Sequence, residues 1–335
     1  MTTVALDVMG GDNCPDINID GAYDALNNIS DVRIKLVGPE ALIKEKINGW
    51  DEKLKARIEI VNAPDVITLD ESPVKAISRK KDSSIVVGIN LVKSHDADAF
   101  ISAGSTGAIL AAGQLIIGRL PGVLRSPLAT MIPTMKGFSL FLDCGANVDA
   151  KPEWLVQYAR MGSIYMDKVQ ERPGASVKLV NLGTEDEKGN ALTKAVHPML
   201  SELTDINYQG YIESRDVPSG GADIIVADAF TGNAIIKTFE GTAGVLISLI
   251  KEVLKSTFLT KIGALLIMKP LKNRLKSFDA AKCGGAILLG LKGVVIKCHG
   301  NANRLEISTA IEKAVKYVEE DVNRLIEAAL SESGR

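Results

Sequence analysis

Histidine, tryptophan and cysteine are scarce: 335 residues contain three, two and four of them. The cysteines, Cys14, Cys144, Cys283 and Cys298, form no CxxC pair and no zinc-type spacing. That excludes a zinc ribbon or a disulfide scaffold, and scattered thiols fit a reducing compartment. No HExxH or clustered metal spacing occurs, so no tightly held metal is expected. A GxSxG elbow, a GxxxxGK[ST] loop and a GxGxxG fingerprint are also missing, which disfavours serine hydrolases, P-loop enzymes and dinucleotide enzymes. Neither sign of charge dominates, with 39 Lys and Arg against 41 Asp and Glu. A net charge of −2 lacks the basic surplus of a nucleic-acid binder. Long apolar runs are absent too; AGVLISLI and IGALLIM are too short to span a membrane. The start, MTTVALDVMGGD, has no basic segment, and Asp7 interrupts its apolar run, so it is no signal peptide. These absences lead us to expect a soluble cytoplasmic chain with no nucleic-acid partner and no cofactor.

What is present is alternation. TVALDV, RIKLVG, RIEIVNA, ADAFISAG, SLFLDCG, VKLVNLG, DIIVADA and GVVIKC are short and almost continuously apolar. Strands covered on both faces look like this. Between them, IDGAYDALNNI, ALIKEKI, SSIVVGINLVKS, GAILAAGQLIIG and PEWLVQYARMGSIYMDKV carry helical spacing. The pattern predicts a doubly wound, largely parallel α/β sheet with helices on both faces. Residues 303–330 predict one long amphipathic helix. No linker, repeat or low-complexity tract divides the chain, so a single domain over 1–335 is expected.

In an open parallel sheet, ligands bind beyond the carboxyl ends of the strands. Six of these ends combine glycine with small polar or charged residues. They are Asp7 with Gly10, Gly11 and Asp12; Ser102 with Gly104, Ser105, Thr106 and Gly107; and Asn147 in GANVD. The others are Glu185 and Lys188 in TEDEKGN, Asp228 with Thr231, Gly232, Asn233 and Lys237, and His299 in HGNAN. The set predicts one shared, backbone-lined polar pocket. Taken alone, SAGSTGA is either an anion cradle opening a helix or a tight strand-to-helix corner. Lys75 and Lys81, before a helix that Ser83 opens, are candidate partners for an anion or simply solvated charges. His299 alone among the histidines follows a strand, where it can act as acid, base or donor, or serve as a cap. Cys14 and Cys144 lie at strand ends, as nucleophiles or as small buried apolar groups.

One segment stands apart. From Lys251 to Lys276, seven basic residues and one acid, Glu252, surround an apolar centre. Two short helices broken near Pro270 are expected, forming a basic amphipathic hairpin over 249–278. Such a hairpin packs on the sheet or at a dimer interface, or docks on anionic lipid or an acidic partner through Lys251, Lys255, Leu265, Leu266 and Lys269.

The turns also occur in a familiar order: DVMGGDNCP, ESPVKAISRKKDSS, SAGSTGAILAAG, GRLPGVLRSPLAT, LDCGANVD, NLGTEDEKGN, DIIVADAFTGNAIIKTFEG and CGGAILLGLKGVVIKCHGNAN. Together, over almost the whole chain, they resemble the PlsX-type phosphate acyltransferases. The resemblance implies a three-layer α/β/α sandwich, distantly related to phosphate acetyl- and butyryltransferases and to isocitrate-dehydrogenase-like folds. It implies a homodimer that transfers a long acyl group from acyl carrier protein to inorganic phosphate. The acyl phosphate would then serve a membrane acyltransferase acting on glycerol 3-phosphate, which suggests peripheral association with the inner membrane face. Within that reaction, Ser102, Ser105, Thr106 and Gly107 are expected to hold phosphate. Asn147 and the Thr231–Asn233 turn would surround the thioester carbonyl, Lys188 and Lys237 would supply charge, and Asp7 and Asp228 would orient the loops. This sequence differs from the usual family pattern at Asn13, Cys14, Ser105, Ile287, Asn301 and Ala302.

Overall fold

The computed structural model describes residues 1–275 and 280–331. The first half comprises β1 (Thr2–Asp7), α1 (Asp16–Asn28), β2 (Val32–Gly38), α2 (Glu40–Lys46), α3 (Glu52–Lys55) and β3 (Ile58–Asn62). It continues with α4 (Pro73–Arg79), α5 (Ser84–Lys93), β4 (Ala99–Ser102) and α6 (Thr106–Ala112). Next come β5 (Leu128–Thr134), β6 (Gly137–Leu142), α7 (Pro152–Lys168), β7 (Ser176–Val180), α8 (Ala191–Ser201), β8 (Asn207–Ile212) and β9 (Ile224–Val226). The long helices α9 (Ala229–Ser256) and α10 (Phe258–Leu275) precede β10 (Ala286–Leu288), β11 (Val294–Lys297), α11 (Arg304–Glu319) and α12 (Val322–Ser331).

Among the described residues, eleven strands form one sheet in the order β3-β2-β1-β4-β11-β10-β5-β6-β9-β7-β8. The near-continuous apolar strands are explained by cover on both faces. On β1, Val4 and Leu6 join a core with α1, α7 and α11, whereas Ala5 joins a second core with α5 and α6. The fold is therefore the expected mostly parallel α/β sheet. Three strands were not legible as strands: β5, β8 and β10. Two of them change the topology. β10 is antiparallel to β11 and β5, and β5 is antiparallel to β6. As a result β6, β9, β7 and β8 run opposite to β1–β4 and β11.

This reversal corrects the expectation of one pocket shared by six strand ends: the carboxyl ends of the two halves point in opposite directions, and of the reversed half it is Cys144 after β6 and the first turns of α9 after β9 that reach the loops after β4 and β11. The C-terminal helix is also two helices. Asp321 takes a left-handed φ of 49°, which ends α11 before α12 begins.

The hairpin departs further from expectation. Its first helix begins at Ala229 and runs for 28 residues, and the break falls at Thr257 rather than near Pro270. Pro270 lies inside α10, and the end of the expected hairpin, 276–278, lies outside the described residues. The helix α9 is long and apolar enough to cross a membrane by length and composition, which the separate short runs did not suggest. Its first turns nevertheless belong to the sheet, where Ala229, Gly232 and Ile236 are buried. Beyond them, Val245, Leu246, Leu249, Val253, Phe258 and Leu259 are exposed, so the hairpin is not packed on the sheet.

Candidate active site

The first loop is built on Asp7, whose carboxylate is buried at the end of β1. Its Oδ1 accepts the Met9 N–H at 2.9 Å, and its Oδ2 accepts the Ser102 hydroxyl at 2.6 Å. Ser102 Oγ in turn accepts the Gly104 N–H at 2.9 Å, so one carboxylate sets two strand-end turns. Burial raises the Asp7 carboxyl above its ordinary range, and the Ser102 and Ser84 hydroxyls work against that shift. Glycine is required where the turns meet: a Cβ on Gly10 would lie 2.5 Å from the Gly104 nitrogen. Gly11 has a φ of +94°, and the next residue, Asp12, donates its N–H to Gly300 O at 2.7 Å. Three loops are thereby joined, those after β1, β4 and β11.

At their centre, Ser105 opens a helical segment that runs from Thr106 to Ile117. Its side chain makes no capping bond, and no acidic residue stands in the first turn. The first N–H groups of a helix have no partner within it and favour an anion. Two adjoining cavities, of about 460 and 270 Å³, meet here and share Thr106, Lys297 and Gly300. The larger is walled by Met9, Val66, Ile67, Leu69 and Ile85 on its apolar side. The smaller is lined by Asn233, Lys237 and Glu240 of α9, together with His299 and Cys144.

Cationic groups ring this cleft. Lys297 faces both cavities; burial lowers its amine below the ordinary range, and its Nζ donates to Cys298 O. His299 is raised to about 9 by Glu240 and by Glu306, so it is an imidazolium at neutral pH. Its Nδ1 lies 2.8 Å from Glu306 Oε1, and its Nε2 lies 3.8 Å from Glu240 Oε1. Lys237 pairs with the same Glu240 at 2.8 Å. Such a site suits a small anion between backbone N–H groups and cations, beside an apolar wall.

Of the expected residues, the cleft brings together Asp7, Gly10, Gly11, Asp12, Ser102, Gly104, Ser105, Thr106 and Gly107 with Asn233, Lys237 and His299. The others lie elsewhere. Asn147 is buried, and its amide donates to Asp143 Oδ2 at 2.7 Å and Ser126 O at 2.9 Å, which leaves it no hydrogen for a carbonyl. Lys188 and Glu185 pair with each other at 2.7 Å in an exposed loop. Asp228 caps α9 through the Thr231 N–H and also accepts the Thr231 hydroxyl at 2.7 Å. Gly232 is pressed on the loop after β6; a Cβ there would lie 2.0 Å from Asp143 O. Lys75 is exposed on α4, and Lys81 reaches back to Ile77 O at 3.4 Å.

A third cavity, of about 590 Å³, lies at the ends of β7, β8 and β9 and takes in Asp228 and Thr231. It is the largest of these three, yet several of its polar groups already pair with one another. Asn181 donates to Gly183 O and Lys188 O and accepts from Thr193, and Arg215 pairs with Glu213. We therefore place the chemistry at the cationic cleft. Sequence reasoning missed Lys297, Glu240 and Glu306 there. Only Lys297 left a signal, as a charge at the end of an otherwise apolar strand.

Comparison with known proteins agrees with this chemistry. The family described as "Fatty acid synthesis protein" matches residues 2–325. The chain belongs to this family, the PlsX-type phosphate acyltransferases. It is 45% identical over 332 residues to the phosphate acyltransferase of Alkaliphilus oremlandii, covering 99% of this chain and 98% of that one. It is 47% identical over 325 residues to that of Bacillus pumilus, covering 96% of each. Among solved structures, the Streptococcus pyogenes phosphotransacetylase shares the fold, with a TM-score of 0.61 and 17% identity over 95% of this chain and 94% of that one. A branched-chain phosphotransacylase from Enterococcus faecalis gives 0.55 at 15% identity, over 95% of this chain and 100% of that one. The protein is an acyltransferase that uses phosphate.

Proposed function

We propose that this enzyme moves a long-chain acyl group from the thiol of acyl carrier protein to inorganic phosphate. The product is an acyl phosphate for a membrane acyltransferase that acylates glycerol 3-phosphate. One observation carries this reading: α9 joins the cationic cleft to an exposed apolar hairpin. Asn233, Lys237 and Glu240 line the cleft, and the same helix carries Lys251 and Lys255 toward α10. On α10, Leu265 and Leu266 are 80% and 78% exposed beside Lys261 and Lys269. Acyl carrier proteins are acidic, and a long acyl chain needs apolar cover when it leaves its carrier. The hairpin suits the carrier, an anionic bilayer on the cytoplasmic side, or a second copy in a homodimer.

Inorganic phosphate, with a second pKa of about 7, is about half dianionic at neutral pH and needs little activation, and a thiol with a pKa of about 8.5 leaves readily. Catalysis then consists mainly of placing the anion against the thioester and stabilising the charge on its carbonyl oxygen. The α6 start and Lys297 hold phosphate, Asn233 faces the carbonyl, and the Met9–Leu69 wall takes the first carbons of the chain.

A second reading, a short-chain acyl thioester of coenzyme A as donor, draws on the fold shared with the phosphotransacetylase. The test is phosphate-dependent release of thiol from long-chain acyl carrier protein, acyl-coenzyme A and acetyl-coenzyme A. Preference for the carrier-borne long chain is expected. Preference for the acetyl donor would replace it with the second reading.

A further inference from the structure

His299 is held more firmly than a cleft residue in a Gly/Asn turn needs to be. Glu306 sits in the first turn of α11 and is 4% exposed. Its Oε1 accepts the His299 backbone N–H at 2.8 Å and lies 2.8 Å from Nδ1 of the same residue. The Glu306 N–H is in turn fixed by the α11 cap, Asn303, at 3.0 Å. A buried carboxylate that bonds both backbone and ring leaves the imidazole one orientation, with Nδ1 committed and Nε2 on the cleft side near Glu240.

We propose that Glu306 is a positioning residue for acyl transfer, holding His299 so that its Nε2–H is the proton donor to the departing sulfur. The inference rests on the phosphate acyl transfer assigned above, not on which thioester is used. The step balances. A phosphate oxygen attacks the carbonyl carbon and forms the C–O bond; the tetrahedral intermediate collapses, and the C–S bond breaks with its electron pair going to sulfur. Nε2–H delivers its proton to that sulfur, giving the free thiol and a neutral imidazole. The acyl phosphate first carries the remaining P–OH of its parent. The electron-withdrawing acyl group makes that P–OH more acidic than in inorganic phosphate, so its proton restores the imidazolium. His299 thus carries one proton from phosphate to sulfur per turnover, with no other reactant.

Several groups face His299. Glu306 comes from α11, Glu240 and Lys237 from α9, Lys297 from the end of β11, and Cys298 from the residue after it. Cys144, from the loop after β6, lines the same cavity. Asp12, from the loop after β1, approaches Gly300. Glu240 and Glu306 favour the imidazolium, and burial disfavours it; like charge on Lys237 and Lys297 acts in the same direction as burial.

The test pairs two measurements on the intact protein. The first is an NMR titration of His299 with saturating phosphate and no thioester; the second is the pH profile of kcat/KM for the best thioester at the same phosphate, which reports the same phosphate-bound enzyme. In the unaltered enzyme, His299 should titrate near the alkaline fall of kcat/KM. Glu306→Gln keeps the shape but removes the charge; it should lower both by about one to three pH units, the scale of losing one adjacent carboxylate. At neutral pH kcat should fall about tenfold or more, with little change in the KM for phosphate. Glu306→Asp should restore part of both. An alkaline limb that does not coincide with His299 in the unaltered enzyme overturns the proposal, even if Glu306→Gln fails to fold. A variant whose His299 pKa falls while the kcat/KM limb stays fixed overturns it too. Because the titration needs no acyl donor, a wrong donor class shows only in the activity of the unaltered enzyme.

Discussion

The Ser102 hydroxyl donates to Asp7 Oδ2 at 2.6 Å across 95 positions of sequence, with both residues buried. This bond ties the loop after β1 to the turn that opens α6, so neither residue needs to touch phosphate to control its binding. Ser102→Ala should leave the buried carboxylate short of a donor and the Gly104 N–H short of an acceptor. A cost of about 1–3 kcal/mol is expected, read as a lower melting temperature. The KM for phosphate should rise more than the KM for the thioester, because the displaced turn carries the helix start. Unchanged melting and unchanged phosphate KM would show that the two loops hold their places independently.

Lys297 is the cation that both adjoining cavities share. Burial lowers its amine, so binding a phosphate dianion beside it should restore the ordinary preference for the ammonium form. A hydrogen bond to a charged group is worth about 1.5–3 kcal/mol, so Lys297→Met should raise the KM for phosphate about tenfold or more. The thioester KM should barely change. Equal effects on both substrates in steady-state kinetics would remove Lys297 from the phosphate site.

Much of this cleft was legible because strand ends in a parallel sheet are where ligands collect. Asp7, Ser102, Gly104, Ser105 and Thr106 were found by that rule, and His299 by its place after β11. What was not legible was direction. An apolar strand looks the same whichever way its neighbour runs, and the antiparallel β10 is only three residues long. In β5, Pro133 interrupts an otherwise strand-like LATMIPT. Without β5 and β10 the reversal is invisible, so Asn147, Lys188, Asp228 and Thr231 seemed to share a pocket with Ser105. Glu240 and Glu306 looked like ordinary helix charges, since only tertiary packing brings either one to His299.

The pairing of His299 with Glu240 gives stability a definite pH window. Glu240 is held down to about 2, first by His299 and then by Lys237, from an ordinary 4.5. A depressed carboxyl contributes above its ordinary value, and that contribution is lost as pH falls through about 2. His299 is raised from 6.5 to about 9, so its contribution is complete below 6.5 and lost as pH rises through about 9. Both contributions are complete only between about 4.5 and 6.5. With 39% and 41% of their side chains exposed, the pair is screened by solvent, and the effect should be modest and salt-sensitive. The melting temperature of Glu240→Gln should therefore fall furthest below that of the unaltered protein inside this window. The gap should narrow as pH rises from about 6.5 to about 9, where His299 becomes neutral, and change little beyond. Melting curves collected across the range in low and moderate salt measure it directly. A gap that stays constant from about pH 6.5 to 9 would mean that Glu240 stabilises α9 through Lys237 alone.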